Sequence, residues 1–376
     1  MKQVFRNEIQ RHVYSIPALV SDVIENTFVL CDAQLKSRVS PKCRQIVLTG
    51  CGYSYAAALA VRDALADITH LPVLVVPAVE LARFTNAGAG ALQNTVLFAI
   101  SGSGAVSRVL EAMALYKRLG ACVIGVTGNL HGPIERYADG LLDIRTPEIG
   151  STLPLRGYAM TILSLLAAGW TIAALRGIEG TISRDQILAE LRHDMAQLQN
   201  RLPELDRGTM QFVAGHPSLR AYEFVGSGYE RAAAFLGKIE MMGQAGCMAS
   251  DEDAEQWCHC NFFMADPEHI GTVLFYASRS PAASRTREVL QYMQQLQRPV
   301  CVLTDARELA SDANMQVFHL PEITAWNAGL LEMTVPSFLA GYVCEALGET
   351  YSRGFRGRWA VFQTGRSTCE SEMLYQ

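Results

Sequence analysis

Ile100 ends an apolar run, and Ser101-Gly102-Ser103-Gly104 follows it, with Ser107 shortly after. Glycines at these places let the backbone approach a bound group closely, and serine hydroxyls donate hydrogen bonds. A helix expected from about Ala105 would add its first free N–H groups and the positive end of its dipole. Neutral donors of this kind hold a phosphoryl group without lysine or arginine. The same residues also make an ordinary Ser/Gly turn with a serine N-cap, and the motif alone does not choose. Upstream, Gly50-Cys51-Gly52-Tyr53-Ser54 is a second Gly-rich turn, with Ser54 as a further hydroxyl. Tyr55 stands where the dinucleotide fingerprint G-x-G-x-x-G needs glycine, so a nicotinamide site is not expected.

The second constellation is Glu240, Glu255 and His259. Glu240 sits among Ile239, Met241 and Met242. Half-burial there would raise its pKa and suit proton abstraction. A solvent-facing Glu paired with Lys238 is the plainer reading. Glu255 ends the acidic stretch Asp251-Glu252-Asp253-Ala254-Glu255, which reads as a solvated loop. His259 lies in EQWCHCNFF, where a histidine beside Trp257 and Phe262 commonly just packs. In Cys258-His259-Cys260 the adjacent side chains do not readily face one tetrahedral ion. No second ligand pair follows, so no metal is expected.

These groups must be positioned by a scaffold, and the chain holds that scaffold twice. VLTGCGYSYAAA from Val47 is answered by EFVGSGYERAAA from Glu223, with G-x-G-Y and AAA in register. TVLFAISGSGAVS from Thr95 is answered by TVLFYASRSPAAS from Thr272, and CVIGVT from Cys122 by CVLT from Cys301. Three matches in one order, at nearly one offset, indicate a duplication. The serine turn is kept in one copy; in the other, Ser278-Arg279-Ser280-Pro281 puts a proline at the place of Gly104.

Each copy alternates β-branched runs with helical stretches. In the first, Gln45–Thr49, Val73–Pro77, Thr95–Ile100 and Cys122–Thr127 read as strands, and Tyr53–Ala66 and Ala105–Leu119 as helices. That alternation predicts an α/β protein: two tandem, doubly wound, flavodoxin-like parallel-sheet domains. Ligands then sit outside the carboxyl ends of the strands. Residues 1 to about 40 read as two helices divided by Pro17. The segment Gly177–Leu205 reads as a helical connection. The expected domains are 1–200, with the N-terminal helices, and 201–376, with the C-terminal tail.

The 376 residues are 49% hydrophobic and 18% charged, which excludes a disordered chain. The net charge is −5 and no Lys/Arg-rich run occurs, so no nucleic-acid partner is expected. Ten scattered cysteines, several in strand-like runs, suggest a reducing cytoplasm. The start has an acidic residue and no apolar stretch of signal-peptide length, so export is not expected. Tyr158–Leu175 carries no charge and reaches the ~17–25 residues of a spanning helix. Its Thr161, Ser164, Gly169 and Thr171 point instead to a core helix, and no membrane is expected. That helix, with Met/Phe-rich faces elsewhere, suggests a homodimer.

The two G-x-G-Y units, the S-x-S-G turn and Ile149-Gly150-Ser151-Thr152 before a long apolar helix resemble the sugar-isomerase (SIS) domain family. The tandem order resembles the isomerase half of glucosamine-6-phosphate synthase and the fructosamine-6-phosphate deglycases. The resemblance implies a sugar phosphate held by Gly52, Ser54, Ser101, Gly102, Ser103, Gly104, Ser107, Ser151 and Thr152. It also implies proton transfer by Glu240, ring opening by His259 and no cofactor. The family's threonine in the phosphate turn is Val106 here. Its G-E-x-x-H-G-P segment is matched loosely, with Gln256 at the Glu position and Cys260-Asn261 for Gly-Pro. With the first copy starting near residue 45, glutamine-dependent transfer is not expected. The expectation is a phosphosugar isomerase or ketosamine-6-phosphate deglycase; the alternative is a non-catalytic sugar-phosphate sensor.

Overall fold

The structure, a computed structural model, describes residues 5–88, 90–150, 153–178, 183–349, 351, 353, 359 and 371–375. The chain divides into two compact units, Ala18–Arg192 with Phe362–Gln376, and Met1–Pro17 with His193–Val361.

In chain order the elements are α1 (Glu8–Leu35), β1 (Gln45–Gly50), α2 (Tyr53–Thr69), β2 (Val73–Pro77), α3 (Ala78–Phe84), β3 (Thr95–Ile100), α4 (Ser107–Arg118), β4 (Cys122–Thr127), β5 (Gly140–Asp143) and α5 (Leu155–Leu175). After the helix α6 (Arg184–Gly215) come β6 (Ala221–Val225), α7 (Arg231–Glu240), β7 (Met248–Glu252), α8 (Ala254–His259), β8 (Ile270–Tyr276), α9 (Ala283–Gln295), β9 (Val300–Thr304), β10 (Met315–His319), α10 (Ala328–Leu331) and α11 (Thr334–Ala346).

The first sheet runs β2-β1-β3-β4-β5 and the second β10-β9-β8-β6-β7. Every pairing in both is parallel. Numbered within its own unit, the second sheet has the same order as the first. The central strands β3 and β8 are buried along their whole length, as strands covered by helices on both faces must be. In each sheet the winding reverses beside its first strand, between β1 and β3 and between β6 and β8. In sheets of this type ligands bind outside the carboxyl ends at that point.

Some expectations need correction. Residues 8–35 form one helix, not two. Pro17 costs a backbone hydrogen bond, but Ile9, Val13, Ile16, Val20, Ile24 and Phe28 repeat at helical spacing and are all buried. That burial carries the helix through the proline. Helix α4 begins at Ser107 rather than near Ala105, because Gly104 is left-handed (φ 66°) and Val106 extended. The stretch Asp251–Glu255 is no solvated loop. Its first half completes β7, paired with β6, and Asp253 caps α8 by accepting from the Glu255 and Gln256 amides. Helices α1 and α5 are both long and apolar enough to cross a membrane; 83% of the apolar stretch of α5 is buried within the protein, as a core helix is.

Candidate functional site

In the first unit β1 and β3 are neighbours, paired from Gln45↔Thr95 to Thr49↔Ala99. Both Gly-rich turns therefore leave the sheet side by side at its reversal point. Gly52 is left-handed (φ 57°) and starts α2 without a side-chain cap; Ser54 lies in the first turn of that helix, half-buried.

The turn Ser101–Gly104 is lashed down from behind. The Ser101 carbonyl accepts from Gly104 N at 2.9 Å, and the Gly102 carbonyl from Gly128 N at 3.0 Å. The Ser103 carbonyl accepts from Asn129 Nδ2 at 3.3 Å, and the Gly104 carbonyl from Ile134 N at 2.9 Å. With its four carbonyls engaged, the turn keeps donors as its remaining polar groups. A Cβ on Gly104 would sit 3.0 Å from Ile134 Cγ2 and 3.1 Å from Asn129 O and Thr127 Oγ1. Glycine is thus required there for space as well as for φ.

Ser101 is buried, and its Oγ makes no hydrogen bond within the protein. A buried hydroxyl without a partner costs about 1–3 kcal/mol, so it calls for an explanation. Ser107 starts α4, where Val106 brings no side-chain cap to the first N–H groups. Gly102 and Ser103 are exposed. Ser151 and Thr152 lie outside the described residues.

Beside this turn α4 carries a buried carboxylate, Glu111, which pairs with Arg108 and with Arg83 of α3. Glu111 Oε1 accepts from Leu374 N at 2.7 Å, and the Glu372 carbonyl accepts from Arg108 (2.8 Å) and Arg83 (2.5 Å). Met373 and Tyr375 pack on the core beneath, so the tail 371–375 belongs to this unit. Nothing in the local sequence marks this clasp, since it joins residues far apart in the chain.

In the second unit Glu240 ends α7 and is fully buried, not half-buried, and a π-turn (Met241–Ala245) follows it. Lys238 is not its partner; it pairs with Asp251, as does Arg231 at 2.8 Å. His259 is no packed core residue. It ends α8 exposed, with Nε2 3.1 Å from Glu255 Oε1, and Glu255 also meets Arg285 at 2.8 Å. The structure therefore brings His259 and Glu255 together on one face of α8.

Two carboxyls that the sequence did not single out lie in this unit. Glu230 is fully buried and its Oε1 accepts from Ala277 N, just past β8, at 2.6 Å. Glu332, between α10 and α11, is also fully buried, and neither of its oxygens finds a hydrogen bond. Burial pushes both carboxyls well above the usual carboxylate range, and the nearby Asp305 adds to this. A signal for Glu230 was present: in the repeat it stands where the first copy has Ser54. Among the described residues no group of three or more His, Cys, Asp or Glu could hold a metal.

The model of the SIS domain family matches residues 41–175. That match runs from just before β1 to the end of α5. The SIS match contains every phosphate-turn residue named above, while Glu240, Glu255 and His259 lie beyond it. The chain is 25% identical over 343 residues to glutamine–fructose-6-phosphate aminotransferase [isomerizing] 2 of Mus musculus, covering 89% of this chain and 49% of that one. It thus spans about half the length of the curated relatives it matches. The C-terminal domain of glucosamine-fructose-6-phosphate aminotransferase from Francisella tularensis superposes with a TM-score of 0.78 at 17% identity, covering 94% of this chain and 99% of that one. Tagatose-6-phosphate ketose/aldose isomerase from Escherichia coli gives 0.73 at 15%, covering 92% and 95%. These two share the two-sheet fold.

Proposed function

We propose that this chain is a phosphosugar-processing enzyme of the isomerase or deglycase type. The observation that carries this reading is Ser101 Oγ. It is buried and without a hydrogen bond, on a donor-rich turn at the reversal point of a parallel sheet. A phosphate oxygen is the kind of acceptor that such a turn satisfies. Ser54, Ser103 and Ser107 would supply further hydroxyls, and Ser151 and Thr152 are proposed with them. The phosphate anchors the sugar remotely and orients its reacting carbons.

The chemistry proposed is proton transfer between C1 and C2 through an enediol or enolamine. Glu240 takes the proton from one carbon and returns it to the other. His259, paired with Glu255, assists opening of the sugar ring. The names of the relatives support a sugar-phosphate substrate, and no cofactor is invoked. The expected division into 1–200 and 201–376 is replaced by the two units of the fold, in which residues 1–17 group with the second unit and the C-terminal tail with the first; the protein is proposed to act in the cytoplasm as a homodimer. Because α5 is largely buried within the protein, the dimer rests on the family resemblance. Sedimentation as a monomer at micromolar concentration would overturn it.

The exposure of His259 favours a second reading, a sensor that binds without turnover. Incubation with aldose, ketose and glycated amino acid 6-phosphates separates the two. Conversion of any of them supports the enzyme; saturable binding of all tested ligands with no conversion supports the sensor.

A further inference from the structure

We propose that the second unit's counterpart of the phosphate turn is a cradle already filled from within by the Glu230 carboxyl group, so that each chain binds a single sugar phosphate. The proposal rests on the reading of the first unit as the phosphate site.

The two sheets share one strand order, so the β6/β8 reversal point corresponds to that of β1/β3. Gly226-Ser227-Gly228-Tyr229-Glu230 aligns with Gly50-Cys51-Gly52-Tyr53-Ser54, and Gly228 repeats the left-handed backbone of Gly52 (φ 60° and 57°). Ala277-Ser278-Arg279-Ser280-Pro281 aligns with Ile100-Ser101-Gly102-Ser103-Gly104. In the second unit two successive amides leading into this turn, the counterparts of Ile100 and Ser101, have carboxyl acceptors, whereas in the first unit Ser101 N donates to the Val126 carbonyl at 2.9 Å. Ala277 N donates to Glu230 Oε1 at 2.6 Å, and Ser278 N to Asp305 Oδ1 at 2.7 Å. Pro281 removes a third N–H. Glu230 therefore reaches, from the place of Ser54, the turn at which the first unit would hold its ligand.

Burying a carboxyl group costs free energy unless donors receive it. Here the buried Ala277 amide receives one oxygen. With Glu230 on the Ala277 amide and Asp305 on the Ser278 amide, an incoming phosphate meets donors that are already occupied.

Equilibrium dialysis with inorganic phosphate and with glucosamine 6-phosphate tests this. The wild-type chain is expected to bind one equivalent, lost in Ser101→Ala. Glu230→Ser, which installs the first unit's residue, is expected to gain a second phosphate that Ser101→Ala does not remove. Its melting temperature should also rise with added acetate or phosphate by more than that of the wild type, because a ligand bound only by the folded state stabilises it. If Glu230→Ser folds poorly, the same anions should restore its folding. Two equivalents bound by the wild type would overturn the proposal. So would a Glu230→Ser chain that neither gains a site nor responds to these anions. A wild type that binds none would instead refute the first-unit reading, and a gain of one equivalent in Glu230→Ser would still support the filled cradle.

Discussion

Arg298 and Glu223 form an ion pair at 2.7 Å with both side chains sealed from water. Trp257 Nε1 donates to the same carboxylate at 2.6 Å, Asn261 Nδ2 donates to its other oxygen, and Arg298 Nη2 reaches the Asn261 carbonyl at 2.7 Å. The guanidinium also lies over the Trp257 ring, 5.2 Å from its centroid. Trp257 belongs to α8, so a charge on β6 fixes the helix that presents Glu255 and His259. Glu223→Gln leaves a buried guanidinium uncompensated and should cost about 3–5 kcal/mol in urea unfolding. A cost under about 1 kcal/mol would mean that water reaches the pair.

Ser101→Ala removes one hydroxyl from the proposed phosphate turn. The loss of a hydrogen bond to a charged group predicts binding weaker by about 1.5–3 kcal/mol, roughly 10- to 150-fold in Kd. Calorimetric titration with a hexose 6-phosphate measures it, and the unphosphorylated hexose is the control. Gly104→Pro should abolish binding, because it forfeits the left-handed backbone and the N–H that closes the turn onto Ser101.

Glu240→Gln keeps size and hydrogen bonding but removes the base. Turnover should fall by the ~10²–10⁴-fold typical of general-base loss, with KM little changed. Glu255→Gln, at an exposed residue already paired with His259 and Arg285, should do less. Steady-state kinetics of both variants decide between them, and the reverse ranking would move the catalytic carboxylate to α8.

Stability should fall as pH rises. Glu230 and Glu332 are fully buried and face each other's charge and that of Asp305. Their folded-state pKa values are raised, Glu230 from 4.5 to about 8. Between those values the native state holds protons that the unfolded chain has released, so each step upward in pH favours unfolding. The stabilisation is complete below about pH 4.5 and is lost on passing through pH 8. Denaturant midpoints across that range should decline for the wild type and decline less for Glu332→Gln. Equal slopes would show that the pair does not titrate there.

Much of the fold could be read in the residues. The strands Thr95–Ile100 and Cys122–Thr127 have the predicted bounds, because a doubly covered strand must be apolar throughout; Val73–Pro77 also has the predicted bounds, as a β-branched edge strand that stays partly exposed. The short helix α3 and strand β5 were missed; a few residues in a polar setting carry too little periodicity. Pro17 misled because local propensity is blind to the burial on either side of it. Glu111, Glu223 and Glu230 were passed over for a common reason. A buried carboxylate looks in sequence like any surface one, and only its distant partners, Arg83, Arg298 and the Ala277 amide, tell them apart.

The grip on residues 371–375 reads main chain rather than side chain: Arg83 and Arg108 take the carbonyl of Glu372, and Glu111 takes the amide of Leu374. Contacts of that kind are indifferent to the side chains at 371 and 372, whereas Met373 and Tyr375 also pack on the core. Replacing Ser371 or Glu372 should pass unnoticed, whereas clipping the strap off would strand two arginines and a carboxylate beside the serine turn. In this corner of the molecule the first letters of the strap can be rewritten, but the word cannot be shortened.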